Sequence, residues 1–236
     1  TFGTGGLRGL MGVGMNRINT YTIRRATLGF AHYLKKTSHP GGVAISYDNR
    51  KDSKVFAFES AKVLTAQGID AYVFENLRPT PMLSFAVRHF KCAGGIMITA
   101  SHNPKAYNGY KAYDHTGAQL NLEDAEKVID EINNIKDLFD IPQKDDDHIR
   151  LIGQDFDRIY LEKVKTINIH QDEKKIKLVY SPLHGTGGTV IPTFLKDEGY
   201  DIESYLPEMI VDHTFGTLKS SNPEESGAYE RTLNFA

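Results

Sequence analysis

Three short apolar runs decide the fold: Gly42-Val43-Ala44-Ile45-Ser46-Tyr47, Asp70-Ala71-Tyr72-Val73-Phe74 and Gly95-Ile96-Met97-Ile98-Thr99. Each has the length and residue types of a buried strand. Between the first two, Asp52-Ser53 stand where a helix cap belongs. Val55, Phe56, Glu59, Ala61, Val63 and Leu64 follow, and Gly68 closes the segment. Between the second and third, Pro81 opens a helix running to about Phe90. Strands joined by helical crossovers pair in parallel and carry helices on both faces. Such sheets hold ligands at the carboxyl ends of their strands, which singles out the loop after Thr99.

The pattern continues outward. Ile18 to Lys36 places Ile23, Thr27, Phe30, Ala31 and Leu34 at helical spacing before the stop Ser38-His39-Pro40-Gly41-Gly42. Tyr110 to Tyr113 reads as a fourth strand, and Asn121 to Asn134 as an acidic helix beginning at a cap. Lys136 to His148, with Asp145-Asp146-Asp147, reads as solvated loop or linker, and Gln154 to Lys165 as a bridging helix. A second unit then starts with strand Lys177-Leu178-Val179-Tyr180. The turn His184-Gly185-Thr186-Gly187-Gly188, a helix over Thr189 to Glu198 and a strand over Asp201 to Tyr205 complete it. The expected domains are 1–153 and 154–236, in an α/β fold of two three-layer α/β/α domains with mostly parallel, mixed sheets. The opening Thr1-Phe2-Gly3-Thr4-Gly5-Gly6 is a glycine-rich loop with no element before it. Asn222-Pro223-Glu224-Glu225 reads as a helix start that meets no stop signal. A fragment of a longer protein is the expectation.

Composition narrows the classes. The chain has 236 residues, 28 Lys and Arg against 30 Asp and Glu, net charge −2, with 40% hydrophobic and 25% charged residues. That balance excludes disordered, collagen-like and disulfide-stapled chains. It offers no electrostatic footprint for nucleic acid or acidic membranes. Cys92 has no second cysteine to pair with, no apolar run reaches the length of a membrane span, and no signal peptide opens the sequence. A cytoplasmic globular protein is expected, with neither nucleic acid nor a membrane as partner. Nothing in the sequence sets an oligomeric state.

The chemistry concentrates in Ile98-Thr99-Ala100-Ser101-His102-Asn103-Pro104, followed by Tyr107-Asn108-Gly109-Tyr110-Lys111. A strand runs into a loop bearing a hydroxyl, an imidazole and a carboxamide, and Pro104 keeps the chain from turning helical at once. Ser101 is either a nucleophile exposed at the strand end or a loop serine that only hydrogen-bonds. No Gly-x-Ser-x-Gly surrounds it, which disfavours a hydrolase elbow. The turn at His184 either cradles phosphate on a helix N-terminus or is only a tight turn, and it matches neither dinucleotide nor P-loop patterns. His32, His89, His115, His148, His170 and His213 form no metal-ligand spacing. Tyr107, Tyr110 and Tyr113 are spaced by three, and Asn108-Gly109 between them suggests a turn and packing. Asp155-Phe156-Asp157-Arg158 reads as the first turn of a helix.

Thr99-Ala100-Ser101-His102-Asn103-Pro104 with Tyr107-Asn108-Gly109-Tyr110-Lys111 resembles the active-site serine loop of the α-D-phosphohexomutases, the phosphoglucomutase/phosphomannomutase family. Phe2-Gly3-Thr4-Gly5-Gly6-Leu7-Arg8-Gly9 resembles the family's opening loop, in the form found in the bacterial phosphoglucomutase branch. Lys219-Ser220-Ser221-Asn222-Pro223-Glu224 resembles a segment of its second domain.

The resemblance implies a truncated part of a larger four-domain enzyme that shuttles a phosphoryl group between Ser101 and a sugar phosphate. The implied reaction interconverts glucose 1-phosphate and glucose 6-phosphate through a bound bisphosphate, with glucose 1,6-bisphosphate as activator. Ser101 is then the phosphoserine, and His102 and Lys111 position the group or move protons, Lys111 being the stronger acid/base candidate. Arg8, Asn103 and His184 would bind substrate. The implied cofactor is Mg²⁺, held through the phosphate on Ser101 and by aspartates in a loop beyond Ala236. The sugar-recognition and carboxyl-terminal phosphate loops have no counterpart here, so this chain alone is expected to turn over little. The alternatives are a phosphomannomutase, phosphoglucosamine mutase or phosphopentomutase, or a non-catalytic fragment that binds a sugar phosphate.

Overall fold

Apolar β-branched runs and amphipathic helices alternate along the chain, and the computed structural model shows what they build. It describes Gly3 and residues 6–167 and 174–236. Thr1, Phe2, Thr4 and Gly5 of the opening loop and His170 lie outside the described residues.

The strands are β1 (Gly6–Leu10), β2 (Val43–Tyr47), β3 (Ala71–Phe74), β4 (Gly94–Ile98), β5 (Tyr107–Tyr113), β6 (Ile149–Ile152), β7 (Lys177–Tyr180) and β8 (Asp201–Ser204). The helices are α1 (Thr20–Lys36), α2 (Ser53–Ala66), α3 (Thr80–His89), α4 (Leu122–Asn134), α5 (Asp155–Lys165), α6 (Ile191–Asp197), α7 (Leu206–Met209) and α8 (Glu230–Phe235). Two compact units result. The first holds Thr1–Asp48, Asp52–Ala100 and Ala106–Ile152, and the second Asn49–Lys51, Ser101–Lys105 and Gly153–Ala236.

In the first unit six strands lie in the order β1-β5-β4-β2-β3-β6. β4, β2, β3 and β6 run parallel, while β5 is antiparallel to both of its neighbours. Helices cover both faces, as two adjacent glycines show. A Cβ on Gly94 would meet Phe30 and Leu34 of α1, and one on Gly95 would meet Val87 and Leu83 of α3. Successive strand residues point to opposite faces, so α1 and α3 lie on opposite sides of the sheet. The core fills from both, with Ile23, Phe30, Val43, Ile45, Leu64, Val73, Ile96 and Ile98 fully buried.

Several expectations change. β1, expected as loop, forms a strand because glycines let it approach β5: a Cβ on Gly6 would stand 2.1 Å from the Tyr110 carbonyl oxygen. Asn108-Gly109 is not a turn but the middle of β5, where a Cβ on Gly109 would lie 2.6 Å from carbonyl oxygens of Leu7 and Thr99. Asp52 does not cap α2 with its side chain. It adopts φ 61°, and Ser53 Oγ instead donates to Asp48 Oδ1 at 2.7 Å. The polar stretch 136–148 is fastened rather than free: Ile141 is buried against Leu28 and Val63, and Lys144 N donates to the Lys62 carbonyl at 2.9 Å. β6, beyond that stretch, is a strand the pattern did not announce.

In the second unit β7 and β8 pair in parallel. The helix expected from Glu224 begins only at Glu230. Asn222 Oδ1 accepts from Glu224 N at 3.1 Å and its carbonyl accepts from Glu225 N at 3.0 Å, so the side chain folds that stretch into a turn.

Candidate functional site: the serine loop and its supports

β2 and β4 are parallel neighbours, so the segments leaving Tyr47 and Ile98 emerge at the same edge of the sheet. Within the first unit, a buried polar chain starts at Asp48, just after β2. Ser53 Oγ donates to Asp48 Oδ1, and Asn108 Nδ2 donates to Ser53 Oγ at 2.9 Å. Asn108 is fully buried, and its Oδ1 accepts from the Gly109 amide at 2.7 Å. The chain ties the end of β2, the start of α2 and β5 together.

Ser101 follows β4 by three residues and is exposed. Its backbone is left-handed, φ 57°, a conformation that costs a non-glycine residue about 1–2 kcal/mol and persists only where surroundings impose it. His102 is exposed beside it. Its Nδ1 lies 3.4 Å from Ser101 Oγ, long for a hydrogen bond, so the imidazole accompanies the hydroxyl without being locked to it.

Arg50, from the short segment Asn49–Lys51, binds the loop through its carbonyls. Its guanidinium donates from Nη2 to the carbonyls of Ser101 at 2.9 Å and Asn103 at 2.5 Å, and from Nη1 to that of Pro104 at 3.0 Å. The guanidinium also lies over the Phe215 ring at 5.3 Å, and Arg50 is only 4% exposed. Ser221 Oγ completes the set with contacts of 3.1 Å to the carbonyls of His102 and Asn103. Every carbonyl from Ser101 to Pro104 therefore meets a side-chain donor of the second unit. Neither Arg50 nor Phe215 was singled out from the sequence. The available signal was position, since Asp48-Asn49-Arg50 follows the carboxyl end of a parallel strand.

Phe215 sits on a turn organised by Asp212. Asp212 Oδ1 accepts from Thr214 N at 2.8 Å and Thr214 Oγ1 at 2.7 Å, and Oδ2 accepts from Gly216 N at 2.8 Å. The amides of Gly216 and Thr214, then the Thr214 hydroxyl, hold the Asp212 carboxyl down at a pKa of about 2. Asn49 Nδ2 donates to the Asp212 carbonyl at 3.0 Å. A cavity of about 420 Å³ in this unit is lined by His102, Lys105, Phe215, Lys219 and Ser221 among others. Its lysines and hydroxyls suit an anionic, hydroxyl-bearing ligand.

The other predicted residues stand elsewhere. Lys111 is half-buried on β5, and burial first, then the charge of Arg8, lowers its pKa from the usual lysine value. Arg8 is exposed on β1. Asn103 contributes its carbonyl to the Arg50 set. His184 is buried, 3% exposed, with φ 63°, directly after Leu183 at φ 51°. Its Nδ1 donates to the Ile210 carbonyl at 2.7 Å, and Nε2 lies 2.7 Å from Thr217 Oγ1. Both ring nitrogens are thus engaged inside the unit, which makes His184 a fastening for the glycine-rich turn. Asp145 and Asp146 pair with Lys62 and Lys144, and Asp155 and Asp157 occupy the first turn of α5. Among the described residues no group of three or more His, Cys, Asp or Glu is placed to hold a metal ion.

Comparison with known proteins decides the family. Residues 1–139 match the description "Phosphoglucomutase/phosphomannomutase, alpha/beta/alpha domain I" and residues 158–236 the corresponding domain II. The chain belongs to the phosphoglucomutase/phosphomannomutase family. A phosphoglucomutase of Staphylococcus haemolyticus is 38% identical over 243 residues, covering all of this chain and 44% of the relative. That of Staphylococcus saprophyticus is 37% identical over 238 residues, covering 97% of this chain and 43% of the relative. The chain thus spans less than half the length of these family members. A Thermus thermophilus protein of known structure, named for phosphomannomutase, superposes with TM-score 0.85 at 25% identity, over 100% of this chain and 51% of its own. A Burkholderia thailandensis family protein shares the fold at TM-score 0.78 and 18% identity, over 99% of this chain and 49% of its own.

Proposed function

We propose that the protein is a phosphoglucomutase in which Ser101 carries the phosphoryl group exchanged with a hexose phosphate. The observation that carries this reading is the serine loop itself: an exposed hydroxyl in a left-handed turn, with the carbonyls from Ser101 to Pro104 drawn onto donors. A hydroxyl of the sugar monophosphate attacks phosphorus, the P–Oγ bond breaks, and a bisphosphate forms. After that bisphosphate reorients, Ser101 Oγ attacks its other phosphate and releases the isomeric monophosphate. Glucose 1-phosphate and glucose 6-phosphate are the substrate pair in this reading, as the names of the staphylococcal relatives suggest, and glucose 1,6-bisphosphate is the activator.

Catalysis of this kind is mainly positioning and charge neutralisation. Lys111, with its lowered pKa, is assigned proton transfer. His102 accompanies the Ser101 hydroxyl, Arg8 and Asn103 meet substrate, and His184 fastens the turn that borders it. In this reading residues 1–153 are domain I with the serine loop, and 154–236 the part of domain II that this sequence spans. Mg²⁺ would be held through the phosphate on Ser101 and would neutralise charge on the transferred group. The described residues supply no further ligand set for it. No helix among the described residues is long and apolar enough to cross a membrane, and we place the enzyme in the cytoplasm.

The test is transfer of labelled phosphate from glucose 1,6-bisphosphate to the full natural protein, with the modified residue mapped by mass spectrometry. Label on Ser101, and its loss together with mutase activity in Ser101→Ala, is the expected result. Undiminished activity in that variant would sink the assignment. Mannose 1-phosphate assayed in parallel separates this reading from the phosphomannomutase alternative.

A further inference from the structure

We infer that Arg50 is a positioning residue for phosphoryl transfer, acting through the backbone of the serine loop rather than on the substrate. This inference rests on the reading of Ser101 as the phosphoryl carrier. A guanidinium has a rigid planar fork with donors on two terminal nitrogens, and here the fork is spent on carbonyls of three residues within one four-residue stretch. Its face lies over Phe215, so the cation is held by an aromatic surface as well as by acceptors.

This arrangement has three consequences. The carbonyl of Ser101, in its left-handed backbone, is held 2.9 Å from Nη2, so Arg50 braces the peptide unit from which Oγ projects. The carbonyl dipoles of Ser101, Asn103 and Pro104 are turned onto a cation, which keeps their negative ends from facing the dianionic group that Ser101 would carry. The Phe215 turn, anchored by Asp212, and the Ser221 hydroxyl back the same loop from other parts of the second unit. A lysine at position 50 would keep the charge, but it lacks the fork that spans three acceptors and the plane that stacks on Phe215.

The experiment compares Arg50→Lys, Arg50→Ala and Ser221→Ala in the full natural protein. It measures kcat and KM for glucose 1-phosphate, phosphate incorporation at Ser101, and thermal unfolding. A misplacement of about 1 Å at a reacting group costs on the order of 100-fold in rate. We therefore expect kcat to fall about 100-fold in both Arg50 variants, with KM within about threefold of the parent. Millimolar guanidinium is expected to restore a measurable part of kcat in Arg50→Ala and none in Arg50→Lys, where the lysine fills the space.

Arg50→Lys with parental kcat would overturn the inference, because charge alone would then suffice. So would a folded Arg50→Ala that keeps kcat within about twofold, raises only KM, or gains nothing from guanidinium. If Arg50→Ala does not fold, Ser221→Ala decides, since it removes one hydroxyl from the same carbonyl set. A drop in kcat of about tenfold at unchanged melting temperature supports the inference, and unchanged kcat overturns it. Ser101→Ala separates the two readings: if it abolishes turnover while the Arg50 and Ser221 variants are normal, only the Arg50 inference fails.

Discussion

Arg8 and Lys111 project from the same face of the first-unit sheet. In the antiparallel register of β1 and β5, Arg8 stands opposite Gly109 and Gly6 opposite Lys111, so the two cations are diagonal neighbours with glycine across from each. No side chain on those glycines separates or screens them. This arrangement explains why Arg8 adds to burial in lowering the Lys111 pKa.

The first prediction concerns that lysine. By heteronuclear NMR, Lys111 titrates below the ordinary lysine value. Arg8→Gln moves it upward only part of the way, because burial is the larger cause. The unfolded chain binds this proton more tightly, so stability attributable to Lys111 rises as pH climbs from the lowered pKa to the unfolded value. Lys111→Met removes that rise. A full return to the ordinary value in Arg8→Gln would show that charge, not burial, sets the shift.

The second prediction tests the close approach of three strands. In Gly109→Ala the new methyl would meet carbonyl oxygens of Leu7 and Thr99, each at 2.6 Å, on both sides of β5. Backbone on either side cannot step away singly, so the variant is expected to lose about 1–3 kcal/mol in urea denaturation. Asn108→Ala, which leaves Ser53 and the Gly109 amide without their present side-chain partner, is expected to lose a similar amount. Parental stability in both would mean that the edge of the sheet relaxes freely.

These residues also show how far the sequence could be read. Strands β2, β3 and β4 and the helices between them were legible because burial on both faces makes a strand a nearly continuous apolar run. Ser101, His102 and Lys111 stand out in the sequence because their motif is contiguous. β1 was not legible, since its glycines carry no strand propensity and matter only for what they let β5 do. Arg50 was not, because a guanidinium that serves carbonyls looks in sequence like any surface arginine. His184 was singled out for its place before glycines, but a linear motif does not show which partners occupy a ring nitrogen.

A third prediction follows from the Asp212 turn beneath Phe215. The carboxyl, held at a pKa of about 2 by the amides of Gly216 and Thr214 and the Thr214 hydroxyl, titrates well below an unfolded aspartate. Its contribution to stability is present above the unfolded value near 3.8 and is lost as pH falls toward about 2. The gap in urea midpoint between the parent and Asp212→Asn should therefore be constant near neutrality and close in that acid window. A gap that persists undiminished at pH 2 would point to the amide's geometry, not to the lost charge.

The last prediction concerns the buried carboxylate behind the glycine-rich turn. Glu208 is fully buried and accepts from the hydroxyls of Ser181, of Thr217 at 3.2 Å and of Thr232 at 3.0 Å. Thr217 Oγ1 also stands 2.7 Å from His184 Nε2, so a single hydroxyl links the carboxylate to the imidazole that fastens residues 183–188. A buried carboxylate is tolerated only while such donors surround it. Thr217→Val removes the link but leaves two hydroxyls on Glu208, for an expected loss of about 1–3 kcal/mol. Glu208→Ala strips the acceptor from three hydroxyls at once and opens a cavity, for an expected loss of about 3 kcal/mol or more. Chemical denaturation ranks the two. If Thr217→Val proves as damaging as Glu208→Ala, the hold on His184 outweighs the carboxylate; if it is neutral, His184 is kept in its left-handed backbone by the Ile210 carbonyl and the Glu208 backbone alone.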